Sequence, residues 1–376
     1  MSKRILILSS DVTGHGHKSI TESLLERFAD FPEIIVRVVD GFSLMGSLGL
    51  KIGKMYGSIT RTSKDAWKHI WDITEKRPSL IIEMSELSIQ DRFIKLLDEF
   101  KPDGIITTHP NFNASATNIL SRLNLKIPFF AVIADPVTIS PLWCNPDATW
   151  TICPTEEAKE ACLNAGVSAG RITVSGFPVR QRFTKHLNAA GSMSEQEIEN
   201  SARAPAFPIQ FMIISGGEGS GNMSRQARIL LKNFNCHVRL LCGRNKLLKR
   251  ALEHTLAERY KDRVEILGFT ENVQDLMLET GIMFARASPN TMMEAIMCNV
   301  PLVITGALPG QEEGNPAFAL KHGIGVVCTR PAQLMETVSG LLANNCEKLI
   351  QMKKSQIRYR NPNGAKNITD FVINRL

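Results

Sequence analysis

The stretch from Phe284 to Asn315, together with the apolar run that leads into it, constrains the fold more than any other part of the chain. A short apolar run, Ile282–Ala285, is followed by the break Ser288-Pro289-Asn290, and a second run, Pro301–Thr305, ends in Pro309-Gly310-Gln311-Glu312. Short apolar runs on either side of a helix-length segment are typical of a parallel sheet. In an open parallel sheet the loops after the strands line the ligand crevice. The hydroxyl, amide and carboxylate groups of these loops therefore predict a site for a polyhydroxylated ligand.

The segment between the two runs predicts a helix with its own start signal. Thr291 is a suitable N-cap, and Glu294 follows three residues later, at the spacing of a capping box. Taken alone, the segment fits an ordinary capped helix equally well. Two runs upstream, Ser215-Gly216-Gly217-Glu218-Gly219 and Cys242-Gly243-Arg244-Asn245, also follow apolar strands. Together these runs favour a ligand site over a set of unrelated surface turns.

The same pattern of strand, loop and helix occurs in both halves of the chain. It begins at Arg4–Ser10 and begins again at Ile209–Ser215. A chain of 376 residues exceeds the size at which one core usually stops growing, so we expect two α/β domains with parallel sheets. We place an N-terminal domain at 1–183, a linker at 184–207, a C-terminal domain at 208–348 and a helical tail at 349–376 that packs back on the first domain. Within the linker, a short helix is expected at Glu195–Ala202.

The composition is that of an ordinary soluble globular protein, with 43% hydrophobic and 22% charged residues. The net charge of +7 and the pI of about 9.0 suit an anionic partner such as a nucleotide phosphate or an anionic lipid surface. The sequence has no nucleic-acid motif, no apolar run near ~20 residues and no signal-peptide pattern at its start. The eight cysteines are scattered without a CxxC pair. This spacing indicates free thiols in a reducing, cytoplasmic setting.

The loop after the first strand contains the residues best suited to acid–base chemistry. It reads DVTGHGHKS over residues 11–19 and precedes a periodic helix, Ile20–Ala29. The pattern is neither GxGxxG nor a P-loop, so it indicates dinucleotide or ATP binding only weakly. His17 is expected in or near the first helical turn, where the helix dipole disfavours the imidazolium and keeps the ring neutral. A neutral imidazole is what a general base for a hydroxyl group requires. The alternative is a histidine that only caps the loop.

Two further strand ends place polar side chains at the same predicted sheet edge. The strand Gly104–Thr108 ends at His109, and the strand Phe129–Ala134 ends at Asp135. Either residue fits a ligand contact or a loop cap.

Residues 41–80 mix apolar and basic residues, with Trp67 and Trp71 four apart. This pattern predicts amphipathic helix, apolar on one side and basic on the other. Two ordinary helices with solvated lysines fit the sequence equally well.

Several of these segments resemble one family of enzymes. SPNTMMEA at 288–295 is similar to the GPGTIAEA segment, and PGQEEGN at 309–315 to the PGQExGN segment, of the monogalactosyldiacylglycerol synthase and diacylglycerol glucosyltransferase group in glycosyltransferase family 28. The first loop resembles the family's SDTGGGHRAS, the run at 215–219 its GGGxG loop, and the run at 242–245 its CGRN. The chain departs from the family at His15, Ser288 and Asn290, which replace glycines, and at Ser140, which replaces a usual histidine.

The resemblance implies the GT-B fold, in which two Rossmann-like domains with parallel sheets face each other across a cleft. It implies catalytic roles for His17, His15 and Asp135, and acceptor contacts for His109 and Trp143. It also implies UDP-sugar contacts for residues of the glycine loops and of the C-terminal strand ends: Gly14, Gly16, Ser215, Gly216, Gly217, Glu218, Gly219, Arg244, Phe269, Ser288, Asn290, Thr291, Glu294, Gln311 and Glu312. In this set, Glu294 would accept both ribose hydroxyls, a bidentate task that suits a carboxylate.

The function expected from the resemblance is transfer, with inversion, of glucose or galactose from a UDP-sugar to a lipid hydroxyl such as that of diacylglycerol. The sequence contains no DxD-like motif and no His/Cys ligand cluster, so neither a metal nor another cofactor is expected. The expected partners are the donor, the lipid acceptor and an anionic membrane surface at 41–80, with no nucleic acid, in a cytoplasmic protein peripheral to the inner face of the membrane. The alternatives are GlcNAc transfer to a polyprenyl-linked or soluble acceptor, a UDP-sugar 2-epimerase and a non-catalytic UDP-sugar sensor.

Overall fold

The computed structural model describes residues 2–376 except residues 12, 14, 48, 52, 54, 56–58, 60–62, 188–192 and 215–221. The chain forms two compact units. The first contains Met1–Gln181, Pro309–Gln311 and Asn361–Leu376, and the second contains Arg182–Leu308 and Glu312–Arg360.

A six-stranded parallel sheet forms the centre of the first unit. Its strands are β1 (Lys3–Ser9), β2 (Ile34–Asp40), β3 (Gly104–Thr107), β4 (Phe129–Val132), β5 (Trp150–Cys153) and β6 (Ile172–Val174), in the order β2-β1-β3-β4-β5-β6. Every neighbouring pair is parallel. The chain moves from β1 to one side to form β2 and then to the other side to form β3. Such a reversal opens a crevice at the carboxyl ends of the two strands where it occurs.

The second unit is built around another six-stranded parallel sheet. Its strands are β7 (Ile209–Ile214), β8 (Cys236–Leu241), β9 (Val264–Leu267), β10 (Ile282–Arg286), β11 (Leu302–Gly306) and β12 (Val326–Val327), in the order β12-β11-β10-β7-β8-β9. All neighbouring pairs are again parallel. Here the order reverses between β7 and β10. The two parallel sheets confirm the predicted α/β class.

Helices cover the faces of both sheets. In the first unit they are α1 (His15–Phe28), α2 (Gly41–Leu44), α3 (Lys64–Lys76), α4 (Pro78–Phe100), α5 (Asn113–Arg122) and α6 (Glu156–Asn164). In the second unit they are α7 (Glu195–Ser201), α8 (Met223–Asn233), α9 (Lys246–Leu252), α10 (Glu258–Tyr260), α11 (Val273–Leu278), α12 (Pro289–Met297), α13 (Asn315–Lys321) and α14 (Leu334–Tyr359). The last helix, α15 (Gly364–Ile373), belongs to the first unit and packs against α1. The short helix expected in the linker is present as α7, with a capping box between Ser194 and Glu197.

The central strand β1 explains why polar groups collect at the strand ends. Ile5, Leu6, Ile7 and Leu8 follow one another, and each is fully buried. Because successive side chains point to opposite faces, both faces of the strand must be covered by apolar groups. Burial of each of these side chains contributes about 1.5–3 kcal/mol relative to exposure. Hydroxyl groups begin only at Ser9, where the strand ends.

Every helix in the described ranges is either too short or too polar to cross a lipid bilayer. All eight cysteines, which lie within these ranges, are free thiols, as their spacing predicted.

Candidate active site

His17 lies in the first turn of α1, as predicted, directly after the loop that follows β1. The helix turns the imidazole towards the end of the neighbouring strand β3, where Nδ1 lies 2.6 Å from the carbonyl oxygen of Thr108. A carbonyl oxygen only accepts hydrogen bonds, so Nδ1 carries the ring proton and is the donor of this hydrogen bond. In the neutral ring, Nε2 then keeps its lone pair. The structure therefore assigns Nε2 as the basic nitrogen of His17.

Burial keeps the His17 ring neutral. Desolvation lowers its pKa from the usual 6.5 to about 4, although the hydrogen bond to Thr108 acts in the opposite direction. The ring is therefore deprotonated over the whole neutral range. This is the charge state that was predicted from the helix dipole, and the main cause in the structure is loss of solvent.

His109 packs directly against His17. The two ring centroids are 4.4 Å apart, and Phe42 and Phe112 contact the other sides of the His109 ring at 5.2 and 5.3 Å. The Nδ1 atom of His109 accepts a hydrogen bond from the backbone N–H of Asn111. Burial first, and the neighbouring His17 second, lower the pKa of His109 well below 6.5. Two neutral imidazoles thus lie side by side at the carboxyl end of β3.

Asp135 and Trp143, which were predicted separately, form one hydrogen-bonded pair. The Trp143 indole Nε1 donates to Asp135 Oδ2 at 3.0 Å, and both side chains are buried. Asn113 of α5 donates to the carbonyl oxygens of Leu142 and Trp143 and so fixes the turn that carries the indole. In the first unit, Trp143 therefore orients the Asp135 carboxylate and exposes no ring surface to solvent.

His15 and Gly16 are the first two residues of α1. Gln311 lies in the short segment Pro309–Gln311 that belongs to the first unit. Gly14 lies outside the described residues, as do Ser215, Gly216, Gly217, Glu218 and Gly219.

In the second unit, Arg244 and Phe269 lie at the carboxyl ends of the neighbouring strands β8 and β9. The Arg244 guanidinium carbon lies 4.2 Å from the centroid of the Phe269 ring. The phenyl ring is 54% exposed, and Arg244 is also exposed. The pair forms a flat surface with one positive charge, which suits stacking against an aromatic base and attraction of a phosphate.

The predicted N-cap of α12, Thr291, is wrong by three residues. The helix begins at Pro289, and Ser288 is its N-cap without a side-chain hydrogen bond to the backbone. The Thr291 hydroxyl lies inside the first turn and accepts a hydrogen bond from Ser288 Oγ at 2.9 Å. Proline is favoured at the first helical position because its fixed φ angle suits the helix and its missing N–H is not needed there. This preference outweighs the capping-box spacing.

The four polar residues of this segment form one partly exposed edge. Ser288, Asn290, Thr291 and Glu294 are all half-buried, whereas Met292 and Met293 between them are buried. The early N–H groups of a helix have no partner within it and attract anions. The edge thus combines anion attraction with a carboxylate one turn later.

Glu312 is buried and already paired. Its Oε2 accepts a hydrogen bond from the backbone N–H of Leu308 at 2.7 Å and lies 2.9 Å from Arg286 Nε. Arg286 is the last residue of β10 and was not predicted as a site residue; a basic residue at the end of a strand was the available signal. Asn315 was also missed, and its amide holds the carbonyl of Ala287 at 2.8 Å. Both residues fix the backbone that leads into α12.

In the part of the chain that the structure describes, no three His, Cys, Asp or Glu side chains are grouped so that they could hold a metal ion. That the site needs neither a metal nor another cofactor stays a prediction from the sequence.

Comparison with known proteins identifies both halves of the chain. Residues 17–179 match the family model described as monogalactosyldiacylglycerol (MGDG) synthase, and residues 222–368 match the glycosyltransferase family 28 C-terminal domain. A relative from Spinacia oleracea, "Monogalactosyldiacylglycerol synthase, chloroplastic", is 27% identical over 382 residues, which cover 96% of this chain and 70% of the relative.

Solved structures with the same fold span the whole chain. The UDP-GlcNAc 2-epimerase of Neisseria meningitidis, bound to UDP-GlcNAc, matches with a TM-score of 0.63 at 15% identity and covers 99% of this chain and 100% of its own. MurG of Acinetobacter baumannii matches with a TM-score of 0.63 at 13% identity and covers both chains completely. At such identities the likeness shows the fold alone, which is the GT-B fold.

Both family models lie in the halves where the site residues were found, the first from His17 onwards and the second through α12. The chain therefore belongs to glycosyltransferase family 28, in the group of the monogalactosyldiacylglycerol synthases, and is a UDP-sugar glycosyltransferase.

Proposed function

We propose that the enzyme transfers glucose or galactose from a UDP-sugar to the hydroxyl of a lipid such as diacylglycerol, with inversion at the anomeric carbon. Membership of the MGDG synthase group supports a lipid acceptor. The observation that carries the mechanism is the neutral His17, whose Nδ1 proton is bound by Thr108 and whose Nε2 keeps a lone pair.

The proposed reaction uses His17 as the general base. The acceptor hydroxyl gives its proton to His17 Nε2 while its oxygen bonds to the anomeric carbon from the face opposite UDP. The bond between that carbon and the β-phosphate oxygen breaks, and UDP leaves with the electron pair. The negative charge that develops on the diphosphate is stabilised by the first turn of α12 and by Arg244. Asp135, held by Trp143, and His109 are proposed to contact the acceptor side of the site.

In the proposed donor site, different residues contact the base, the ribose and the sugar of the UDP-sugar. The Phe269 ring flanks the uracil, and Glu294 accepts the two ribose hydroxyls. Because Glu312 Oε2 is already bound by Arg286 and Leu308, we propose that only its second oxygen contacts a donor-sugar hydroxyl. Gln311 is proposed to contact the same sugar.

The choice of donor and acceptor is tested by a screen for UDP release. UDP-glucose, UDP-galactose and UDP-GlcNAc are each supplied with and without a diacylglycerol emulsion. We expect UDP release with UDP-glucose or UDP-galactose, and only when the emulsion is present.

Other outcomes of this screen identify the alternatives. Release with UDP-GlcNAc only when a polyprenyl-linked lipid or a soluble alcohol replaces the emulsion would favour that acceptor. Release of free sugar without any acceptor would favour an epimerase, and binding without release would favour a sensor. The structural likeness to an epimerase concerns the fold and gives no preference for that reaction.

Substitution of His17 by alanine should lower kcat by about 100-fold or more, because a positioned general base contributes roughly 10²–10⁴ to the rate. The measurement is the rate of UDP release at saturating donor. His237→Ala, at an exposed histidine of β8, is the matched control and should keep the wild-type rate.

The pH profile of the wild-type enzyme gives a second reading of the same role. Protonation inactivates a base, so kcat/KM should fall only as the pH drops towards about 4, the lowered pKa of His17. A loss of kcat/KM centred near 6.5 in folded protein, or a decrease of only severalfold in His17→Ala, would remove His17 from this role.

Substitution of Glu294 by glutamine should weaken UDP binding by about 10- to 100-fold, because hydrogen bonds to a charged group contribute roughly 1.5–3 kcal/mol. The measurement is the Kd of UDP by titration calorimetry. Glu347→Gln, at an exposed carboxylate of α14, should leave the Kd unchanged. An unaltered Kd in Glu294→Gln would exclude the ribose contact.

The surface proposed to meet the membrane differs in part from the predicted one. Trp67 and Trp71 are buried against each other, with ring centroids 6.3 Å apart, so neither ring is available to lipid. The exposed apolar side chains lie instead on the outer faces of α3 and α4: Ile70, Ile73, Leu80, Met84 and Leu87. Leu80, Met84 and Leu87 recur at four- and three-residue spacing, so they form one stripe along α4.

We propose that this stripe contacts the bilayer that contains the acceptor lipid. Exposed Lys76 and Arg77 lie at the junction of α3 and α4, beside the stripe. They provide attraction to anionic headgroups, while the apolar side chains provide insertion.

Anionic phospholipid vesicles should therefore retain the protein at low salt and release most of it at high salt, because salt screens the lysine and arginine charges. In a vesicle sedimentation assay, Met84→Ser/Leu87→Ser should bind severalfold less than wild type. Leu163→Ser/Met335→Ser, which removes two exposed apolar side chains elsewhere, should bind as wild type does. Equal binding of all three proteins would exclude the stripe as the membrane-binding surface.

The relative from Spinacia oleracea is described as chloroplastic, and a cytoplasmic location for this chain stays a prediction.

A further inference from the structure

Three buried hydroxyl groups connect α1 to the ends of β1 and β3. Thr21 Oγ1 lies 2.7 Å from Ser9 Oγ and 3.0 Å from Thr108 Oγ1. All three side chains are buried, and Thr108 is completely inaccessible to solvent. Ser9 is the last residue of β1, Thr108 follows the last residue of β3, and Thr21 lies one turn after His17 on α1.

The direction of each hydrogen bond follows from what the partners can accept. Thr21 Oγ1 lies 3.0 Å from the backbone oxygen of His17, which only accepts, so the single Thr21 proton goes there. The hydroxyls of Ser9 and Thr108 then both donate to Thr21 Oγ1, whose two lone pairs are filled. With one bond donated and two accepted, the Thr21 hydroxyl is fully satisfied and has one orientation.

This arrangement fixes His17 from two sides. Through its own proton, Thr21 holds the backbone carbonyl of His17. Through the bond it accepts, it holds the side chain of Thr108, the residue whose carbonyl receives the His17 Nδ1 proton. The His109 ring, 4.4 Å away, limits rotation of the His17 ring on another side.

We propose that Thr21 is a positioning residue, which acts through Thr108 to keep the proton of His17 on Nδ1 and to leave Nε2 as the base. The proposal rests on the function proposed above only for its effect on rate; the tautomer of His17 can be observed without any substrate. If the Thr108 carbonyl moves, Nδ1 loses its acceptor and the neutral ring can carry its proton on Nε2, where it is no longer basic. A displacement of about 1 Å in a catalytic group costs on the order of 10²-fold in rate.

The experiment compares Thr21→Val, which keeps the shape and removes the hydroxyl, with Thr21→Ser, which keeps the hydroxyl. Thr280→Val is the matched control, since Thr280 is a buried threonine whose hydroxyl also donates to the carbonyl four residues earlier, that of Leu276. Two quantities are measured: kcat and the donor KM from UDP release, and the ¹⁵N chemical shifts of the His17 ring in uniformly labelled protein at pH 7.5. The resonances of His17 among the eight histidines are assigned from their absence in His17→Gln.

For wild type, Thr21→Ser and Thr280→Val, we expect a His17 spectrum with protonated Nδ1 and unprotonated Nε2 and a kcat within about threefold of wild type. For Thr21→Val, we expect kcat to fall by about 10- to 100-fold with little change in donor KM, together with ¹⁵N shifts that move towards the other tautomer. A Thr21→Val protein that keeps the Nδ1–H tautomer would overturn the proposal, and so would a kcat within threefold of wild type if His17→Ala itself lowers kcat by about 100-fold or more.

One outcome separates this proposal from the proposed function. If His17→Ala is fully active while Thr21→Val changes the tautomer, the base assignment fails and the positioning role stands.

If Thr21→Val does not fold, Ser9→Ala replaces it in both measurements. Loss of the Ser9 donor leaves Thr21 in place with one bond fewer, so we expect the same direction of change in tautomer and kcat, and no change in either would overturn the proposal.

Discussion

Burial of both faces of each parallel sheet is the constraint on which the site depends. A strand such as β1, whose residues 5–8 are all apolar and inaccessible, can place polar groups only where it ends. The register of the sheet then decides which polar groups meet. Leu8 pairs with Thr107, so the next residues of the two adjacent chains are Ser9, which ends β1, and Thr108, which follows the end of β3. The helix that follows β1 starts close to this point and brings His17 and Thr21 to them. The hydroxyl cluster and the His17 hydrogen bond are thus consequences of a sheet whose interior has no room for polar side chains.

The sequence predicted the features that depend on local patterns. Alternation of apolar runs with helical segments gave two α/β units with parallel sheets, and the position of polar residues after those runs identified the strand ends that carry His17, His109, Asp135, Arg244 and Glu294. These predictions rest on periodicity and on the rule that such loops gather at one edge of the sheet. They need no knowledge of which strands are neighbours. The family resemblance added the GT-B arrangement and the donor class, which periodicity alone does not specify.

What could not be predicted depends on contacts between distant residues or on competition between local signals. Thr21 and Thr108 are 87 positions apart, and only the register of β1 with β3 makes them neighbours. Nothing in the sequence distinguished the buried pair Trp67 and Trp71 from an exposed amphipathic face, because a four-residue spacing is the same in both cases. At α12, the capping-box spacing pointed to Thr291, but the fixed φ of Pro289 suits the first helical position, and the helix begins there. The pairing of Glu312 with Arg286 required knowing that the turn after β11 folds back to the end of β10.

Glu312 and Glu294 of the second unit are the same residue type, but their surroundings give them different roles. Glu312 is buried, accepts from the Leu308 backbone and faces the Arg286 guanidinium; a buried carboxylate needs such partners because its desolvation costs several kcal/mol. Its pairing fixes the turn after β11 and ties it to the strand that leads into α12. Glu294 is half-buried on the edge of α12, where a carboxylate can exchange water for ligand hydroxyls at lower cost. The same reasoning applies to the imidazoles of the first unit. Burial holds His17 neutral, and the Thr108 carbonyl selects which nitrogen is basic. In Glu312 and His17, one polar atom of the side chain is held by the protein. These protein contacts therefore determine which remaining oxygen or nitrogen can bind a substrate.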